Sequence, residues 1–479
     1  MLRTARSQGA VPAQCHNRAM LLPMSPLDSL FLLAESREHP MHVGSLQLFV
    51  PPEGADAVDV RTMFDEAVRA DEVAPLFQKR ARRALSSLGQ WGWELDEQFD
   101  LEHHVRNNAL PRPGRVLELL ALCSRLHSTL LDRHRPLWEM HLIEGLQDGR
   151  FAVYFKVHHS LVDGVSALRL LARMLSEDPE ARDLPAPWAP RERPARPPSE
   201  GGGFAALPAS VLRLAGEAAG LVPALARTIN RSVNEQSGAM SFSAPKTIFN
   251  VPITGARRFA AQSWPISRIR EIGTVADATV NDVVLALCSG ALRRYLTSLD
   301  ALPDSPLIAM VPVSLHTDSG GPSDGGGNAV GAVMCNLGTH LADPAQRLAT
   351  VHRSMVDGKQ SMRGLSPLQI MAMSAVGLSP LIVGPVLGLT SSMRPPFNLI
   401  ISNVPGPRSP LYWNGARLDG LYPLSIPLDG QALNITVTSY SHQIAFGLTG
   451  CRRTVPHLQR LLTHLDDEFD ALETALGIA

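Results

Sequence analysis

From Phe151 to Gly164 the chain reads Phe-Ala-Val-Tyr-Phe-Lys-Val-His-His-Ser-Leu-Val-Asp-Gly. Apolar residues at every second position (Phe151, Val153, Phe155, Val157) predict a strand with one apolar face. Continued by one residue, that strand puts His159 on the apolar face and turns His158 away from it. From Val165 the period changes, and Leu168, Leu171, Ala172 and Leu175 fall at helical spacing. His158, His159, Asp163 and Gly164 therefore occupy a strand-to-helix junction, a common place for chemistry on a rigid scaffold. Further strands are predicted over 44–50, 307–315, 398–403 and 433–440, and helices over 58–69, 117–132, 281–296 and 458–476. In the last of these, Leu458, Leu461, Leu462, Leu465, Phe469, Leu472 and Leu476 form one apolar stripe. The same mixture of strands and helices in both halves predicts an α/β (α+β) fold in two units of similar size.

Punctuation sets the expected boundaries. Seven prolines between Pro179 and Gly203, with the triplet Gly201 to Gly203, read as a proline-rich linker. The division expected is a disordered tail over 1–20, a first domain over 21–180, linker and connecting helices over 181–245, and a second domain over 246–479. Residues 364–393 carry no charge, and Leu378 to Leu389 is strongly apolar but interrupted by Pro380 and Pro385. Buried helices of a large core, a lipid-facing surface and a membrane span all remain open there, with the core reading foremost.

Charge and cysteine content narrow the partners. With 44 basic and 45 acidic residues among 479, the formal charge is −1, so no nucleic-acid or general polyanion partner is indicated. Hydrophobic residues at 45% against 19% charged supply enough apolar material for real cores. The five cysteines (Cys15, Cys123, Cys288, Cys335, Cys451) are widely spaced and suggest neither a disulfide framework nor a zinc site. A reducing compartment fits them, and the first twenty residues lack the apolar core of a secretory signal.

Several residues could carry chemistry. A neutral histidine in an apolar setting is a suitable proton acceptor, and Asp163 could fix the loop that holds it. A core histidine with Asp163 capping the following helix explains the same pattern. Metal binding is disfavoured, because adjacent histidines on a strand point to opposite faces and no third ligand is spaced nearby. Asn281 and Asp282 precede the apolar helix positions Val284, Leu287 and Cys288, where a cap is the simplest reading. His103 and His104 read as a surface or domain-edge pair, and Gly321 to Gly325 as a loop rather than a hydrolase elbow. Arg257, Arg258, Arg268, Arg270, Arg293 and Arg294 are candidate phosphate contacts equally well explained as solvated surface.

Ordered blocks across both halves give a resemblance. Pro26-Leu27-Asp28 with Met41-His42-Val43-Gly44, Arg135-Pro136-Leu137-Trp138-Glu139, His158-His159-Ser160-Leu161-Val162-Asp163-Gly164, Asn281-Asp282, Pro312-Val313-Ser314 and Asn403-Val404-Pro405-Gly406-Pro407 occur in that order. From about Leu22 onward the chain resembles the bacterial wax ester synthase/acyl-CoA:diacylglycerol acyltransferase family. Its HHxxxDG signature is shared with a wider superfamily of CoA-dependent acyltransferases and condensation domains.

The resemblance implies two chloramphenicol-acetyltransferase-like, CoA-dependent acyltransferase domains with the active site in a tunnel between them. It implies transfer of a long-chain fatty acyl group from acyl-CoA to diacylglycerol or a long-chain fatty alcohol, without an acyl-enzyme. His159 becomes the general base with His158 beside it, Asp163 a structural group holding the loop, and Asn281 the second domain's contribution. Acyl-CoA is then a substrate, and no cofactor or metal is expected. The expected location is cytoplasmic, in peripheral contact with a membrane or lipid droplet. Two alternatives accompany this reading: a non-catalytic lipid-binding or lipid-droplet protein on the same fold, and an acyltransferase for a polar secondary metabolite.

Overall fold

Alternation of apolar residues becomes strand where it was read, and the strands order into two six-stranded sheets. The computed structural model describes residues 22–55, 57–69, 72–83, 91–162, 164–190, 244–314, 330–362 and 394–478. In chain order the first half runs β1 (Leu22–Pro23), α1 (Pro26–Ala34), β2 (His42–Val50), α2 (Ala57–Val68), α3 (Pro75–Gln78), β3 (Lys79–Arg83), β4 (Trp91–Leu95), α4 (Leu101–His104), β5 (Val105–Ala109), α5 (Val116–Ser128), β6 (Trp138–Glu144), β7 (Phe151–His158) and α6 (Gly164–Leu171). The second half runs β8 (Arg257–Pro265), α7 (Ile266–Val275), α8 (Val280–Ser298), β9 (Ile308–Ser314), β10 (Val330–Asn336), α9 (Pro344–Met362), β11 (Leu399–Val404), β12 (Tyr412–Trp413), β13 (Ala416–Leu424), β14 (Leu433–Tyr440), β15 (Gln443–Cys451) and α10 (Arg460–Ala475).

The first sheet has the order β12-β13-β2-β7-β6-β5 and the second β10-β9-β11-β14-β15-β8, while β1-β4-β3 form a small separate sheet. Strands β12 and β13 come from the second half of the chain yet complete the first sheet, β13 pairing antiparallel with β2. A contiguous second unit over 246–479 therefore does not describe the sheets. The cause is apolar: Trp413, Leu418 and Leu421 pack with Phe49 and Phe151 in one buried cluster, which β2 alone would leave open.

The stretch expected to be linker also packs further than its prolines suggest. Trp188 is fully buried and stacks on Trp138 with ring centroids 5.8 Å apart. The remainder of that linker, from 191 to 243, lies outside the described residues, as do the tail over 1–20 and the uncharged stretch over 364–393.

The second unit is built around α8. Thr279 caps it, its side chain accepting from Asp282 N–H while Asp282 accepts from Thr279 N–H, a reciprocal pair that satisfies two orphan donors. The cap is thus Thr279 rather than Asn281. Val283, Leu285, Leu287 and Leu292 are fully buried between the sheet and α10. Among the described residues no single helix is long and apolar enough to cross a membrane; the bent pair α7 and α8, 101° apart, passes on length and composition only.

The two units meet where α5 lies against the start of β8. Ser124 and Ser128 hydroxyls accept from Phe259 N–H (2.9 Å) and Arg257 N–H (2.8 Å). Arg257, which the sequence leaves open between a phosphate contact and solvated surface, is 3% exposed and donates to Glu38 O at 2.7 Å and to Thr254 O. Burial lowers its pKa to about 10. It is a clamp between the halves, because a buried guanidinium is retained only where carbonyls satisfy its donors. Arg268, Arg293 and Arg294 are likewise engaged, with Glu473 and Asp470, with Thr339 and His340 carbonyls, and with Glu468.

Candidate active site

β7 differs from its expected form in one respect: both of its faces are buried. Phe151, Val153, Phe155 and Val157 enter one apolar cluster, Ala152 and Tyr154 enter another, and Lys156 and His158 are fully buried on the Tyr154 side. Lys156 is held by three acceptors, Leu126 O (3.1 Å), Thr129 O (3.0 Å) and Glu139 Oε2 (3.1 Å). Two of these are carbonyls at the C-terminal end of α5, where a cation also meets the negative pole of the helix. Burial alone would raise Glu139, but His141 and Lys156 outweigh it and bring its carboxyl to about 2. Burial correspondingly pulls the Lys156 pKa down.

The strand ends at His158, and its ladder continues one step on each side. His158 N–H donates to Leu137 O and His159 N–H to Met41 O, both at 2.9 Å. The His158 ring is fully buried. Its Nδ1 accepts from Ser160 N–H (3.1 Å) and lies 2.7 Å from Ser160 Oγ, while Nε2 lies 3.1 Å from Glu35 Oε2. An Nδ1 that accepts from a backbone N–H leaves the proton on Nε2, facing the carboxylate. Arg133 completes the row, donating to Glu35 Oε1 (2.9 Å) and Leu32 O (2.8 Å). Burial raises Glu35, but His158 and Arg133 together overcome it and leave the carboxyl below its ordinary value.

His159 stands beyond the strand, half-buried, with its ring stacked on Phe31 at 4.2 Å between centroids. One helix therefore supports both histidines: Phe31, in α1, packs on His159, and Glu35, at its C-terminal end, meets His158. Neither Phe31 nor Glu35 was singled out from sequence. Their spacing of one helical turn is a signal only once the helix is known to cover β7. Asp163 lies outside the described residues, and α6 begins at Gly164.

Asn281 occupies the first turn of α8 in the second unit, where Asn403 Nδ2 of β11 approaches its Oδ1 at 3.5 Å. The structure thus brings together the Asn-Asp and Asn-Val-Pro-Gly-Pro blocks. Asp282 serves the cap and accepts a contact from His352 Nδ1 at 2.9 Å. Asn403 and its loop are anchored to β14: Thr438 Oγ1 donates to Val404 O, and a Cβ on Gly406 would sit 2.0 Å from Ser439 O.

Other candidates resolve as structure. His104, expected at the surface, is 1% exposed, stacks between Phe99 and Trp138, and its Nδ1 meets Trp138 O at 2.8 Å. Burial drives its pKa down to about 4. Cys123, Cys288 and Cys335 are buried, which pushes their thiols up. At Cys451 burial also raises the thiol, but donors from Thr254 and Thr454 bring it to about 7. Two cavities, one at the edge of the first sheet beside Arg182 and one between α9 and the α7–α8 turn beside His352, are not lined by His159.

The wax ester synthase/diacylglycerol acyltransferase catalytic domain matches residues 24–284, and the C-terminal domain of the same family matches residues 326–473. The chain belongs to the wax ester synthase/diacylglycerol acyltransferase family. A Mycobacterium tuberculosis protein named a probable diacylglycerol O-acyltransferase, tgs2, is 51% identical over 456 residues, covering 95% of this chain and 99% of the relative. A second protein of that organism bearing a diacylglycerol O-acyltransferase name is 51% identical over 462 residues, covering 95% and 100%. The solved wax ester synthase/diacylglycerol acyltransferase of Marinobacter aquaeolei VT8 superposes with a TM-score of 0.74 at 44% identity, covering 95% of this chain and all of that one. The first condensation domain of the calcium-dependent antibiotic synthetase shares the fold at 14% identity, with a TM-score of 0.59 and coverage of 96% and 97%. The family resemblance drawn from the motifs holds, and so does the expectation of two chloramphenicol-acetyltransferase-like α/β units. This member of the family carries its catalytic domain over the half that contains His158 and His159.

Proposed function

We propose that this family member transfers a long-chain acyl group from acyl-CoA to the hydroxyl of diacylglycerol, making triacylglycerol, and accepts long-chain fatty alcohols as a second class of acceptor. The observation that carries the reading is the pair at the end of β7: one histidine locked by Glu35 and Ser160, the next left half-buried beyond the strand. His158 is fully buried between Ser160 and Glu35 and fixes the turn, and His159, half-buried at the end of that turn and stacked on Phe31, is the imidazole we assign to catalysis.

In this mechanism His159 takes the proton of the acceptor hydroxyl as that oxygen forms a bond to the thioester carbonyl carbon. Collapse of the tetrahedral intermediate breaks the carbon–sulfur bond, and the departing CoA sulfur recovers the proton from the imidazolium. No acyl-enzyme is needed, which agrees with the burial of Cys123, Cys288, Cys335 and Cys451. Asn281 directs its Oδ1 at Asn403, so its own amide N–H group is the one left to donate toward the oxyanion. The reading places the enzyme in the cytoplasm, in peripheral contact with a lipid surface.

Purified protein with palmitoyl-CoA and either diolein or hexadecanol tests the proposal by acceptor-dependent release of CoA. His159→Ala is expected to lower that rate at least about a hundredfold. An undiminished rate in the variant removes His159 from the chemistry, and CoA release with neither acceptor removes the activity.

A further inference from the structure

The inner side of α1 faces the histidine pair, and its outer side carries Leu30 and Leu33, which are 45% and 58% exposed. Leu32, between them, is 1% exposed and belongs to a thin cluster with Met24, Ala81, Trp93, Leu131 and Leu137. Leu22, Leu95 and Leu130 sit within two residues of members of that same cluster and are 44%, 46% and 37% exposed. Five of the nine large apolar side chains exposed among the described residues thus flank one small assembly of α1 and the β1-β4-β3 sheet. Singly exposed leucines need no explanation, but this concentration does.

The same assembly is basic at its surface. β3 reads Lys-Arg-Ala-Arg-Arg, and only Ala81 is buried. The carboxylates that answer it, Glu94 and Asp96, are themselves buried, with Arg80 and Arg82 both 2.7 Å from Glu94. What reaches solvent from β3 is therefore cationic: Arg82 is exposed, and so is Arg83, whose guanidinium lies over the Trp91 ring at 4.7 Å, while α1 adds one partly exposed acid, Asp28. Glu97, in the turn after β4, is the exposed acid next in sequence. Leucines outward with arginines beside them and an aromatic at the rim suit a headgroup boundary, where apolar side chains enter the acyl region and cations meet anionic headgroups.

We infer that the face formed by α1, β3 and β4 seats the protein on an anionic phospholipid surface, with the His159 end of β7 directly behind it. The charge selects a lipid surface bearing anions over a neutral one. The inference gives the proposed acyl transfer a route for its greasy acceptor and rests on that reading for its purpose, but binding is measured without turnover. Diacylglycerol dissolved in the bilayer would arrive from the side of α1, whose Phe31 stacks on His159.

Flotation with vesicles of phosphatidylcholine containing phosphatidylglycerol, compared with phosphatidylcholine alone, tests it. The protein is expected to float with the mixed vesicles, and both Leu30→Ser/Leu33→Ser and Arg82→Gln/Arg83→Gln to lower its partition coefficient about tenfold. Leu117→Ser, on the exposed side of α5, is expected to bind as the parent does. A polarity-sensitive fluorophore on Leu33→Cys in a Cys15→Ser background gives a reading that does not depend on how a serine pair folds, and it should shift to the blue on vesicles while the same probe on Leu117→Cys does not. Unchanged flotation of both double variants, loss of flotation on Leu117→Ser, or a silent probe at position 33 overturns the inference. Vesicle binding without CoA release from diolein would leave this face intact and remove the proposed activity instead.

Discussion

Glu35 shows how a single residue acquires meaning from its neighbours in space. Along the chain it is one acid after an apolar helix; in the fold its carboxylate joins Arg133 to His158. Glu35→Gln keeps the shape and removes the charge, and it is expected to lower kcat about tenfold with little change in KM in steady-state assays, because the turn bearing His159 loosens while substrate contacts stay. Buried neutral histidines make the second prediction at this scale. Burial brings His104 from 6.5 to about 4 and His127 to about 3, so between those values and 6.5 the unfolded chain binds protons that the native state refuses. Their stabilisation is present above pH 6.5 and is lost as the pH falls toward 4, with His104 contributing about 3 kcal/mol. Urea midpoints across that range should fall with acid, and the fall should shrink in His104→Phe. The motif residues His158, His159 and Asn281 were legible as a pattern. Glu35 and Phe31 were not, nor was the pairing of Asn403 with Asn281, since nothing local marks a side chain whose partner lies on another element.

Elements follow their periodicity closely when it is set by one buried face. α10 buries the Leu461, Leu465, Phe469 and Leu472 stripe, while β14 spans Leu433–Tyr440 as its alternation indicates even though nearly all of its residues are buried. Reading fails where both faces of an element are covered: Lys156 and His158 interrupt the apolar pattern of β7 but are buried by pairing rather than turned to water. It fails also where contact between elements is made by backbone. Gly447 in β15 passes Pro423 in β13 so closely that a Cβ would lie 1.9 Å from the Pro423 carbonyl oxygen. Gly447→Ala is expected to force the two sheets apart and cost at least about 2 kcal/mol in urea unfolding, far more than alanine in an open strand position. A cost below that of an ordinary surface substitution would mean that the sheets do not bear on each other there.

At the scale of the molecule, the two halves are not independent. β13 pairs with β2 and carries β12 at its outer edge, and Trp413 packs at a tilt against Phe49 and Phe151 at 5.8 and 6.2 Å. Residues 22–190 expressed alone leave β2 as an unpaired edge beside an open apolar face, and thermal melts followed by circular dichroism should show no cooperative transition. A sharp transition in that fragment would show the exchange to be dispensable. The amino-acid sequence by itself determined β2, β7, β9, β11 and β14, the helices α2, α5, α8 and α10, and where the histidine pair falls, because period and turn residues are properties of the local backbone. It carried the family as well, through blocks that survive as words. Only the tertiary structure decided that a C-terminal hairpin closes the first sheet, that Arg257 and His104 are interior, and that Glu35 holds His158. Those outcomes depend on which groups exclude water from one another, and a buried charge or an open apolar edge finds its answer wherever the folded chain supplies one, at any separation in sequence.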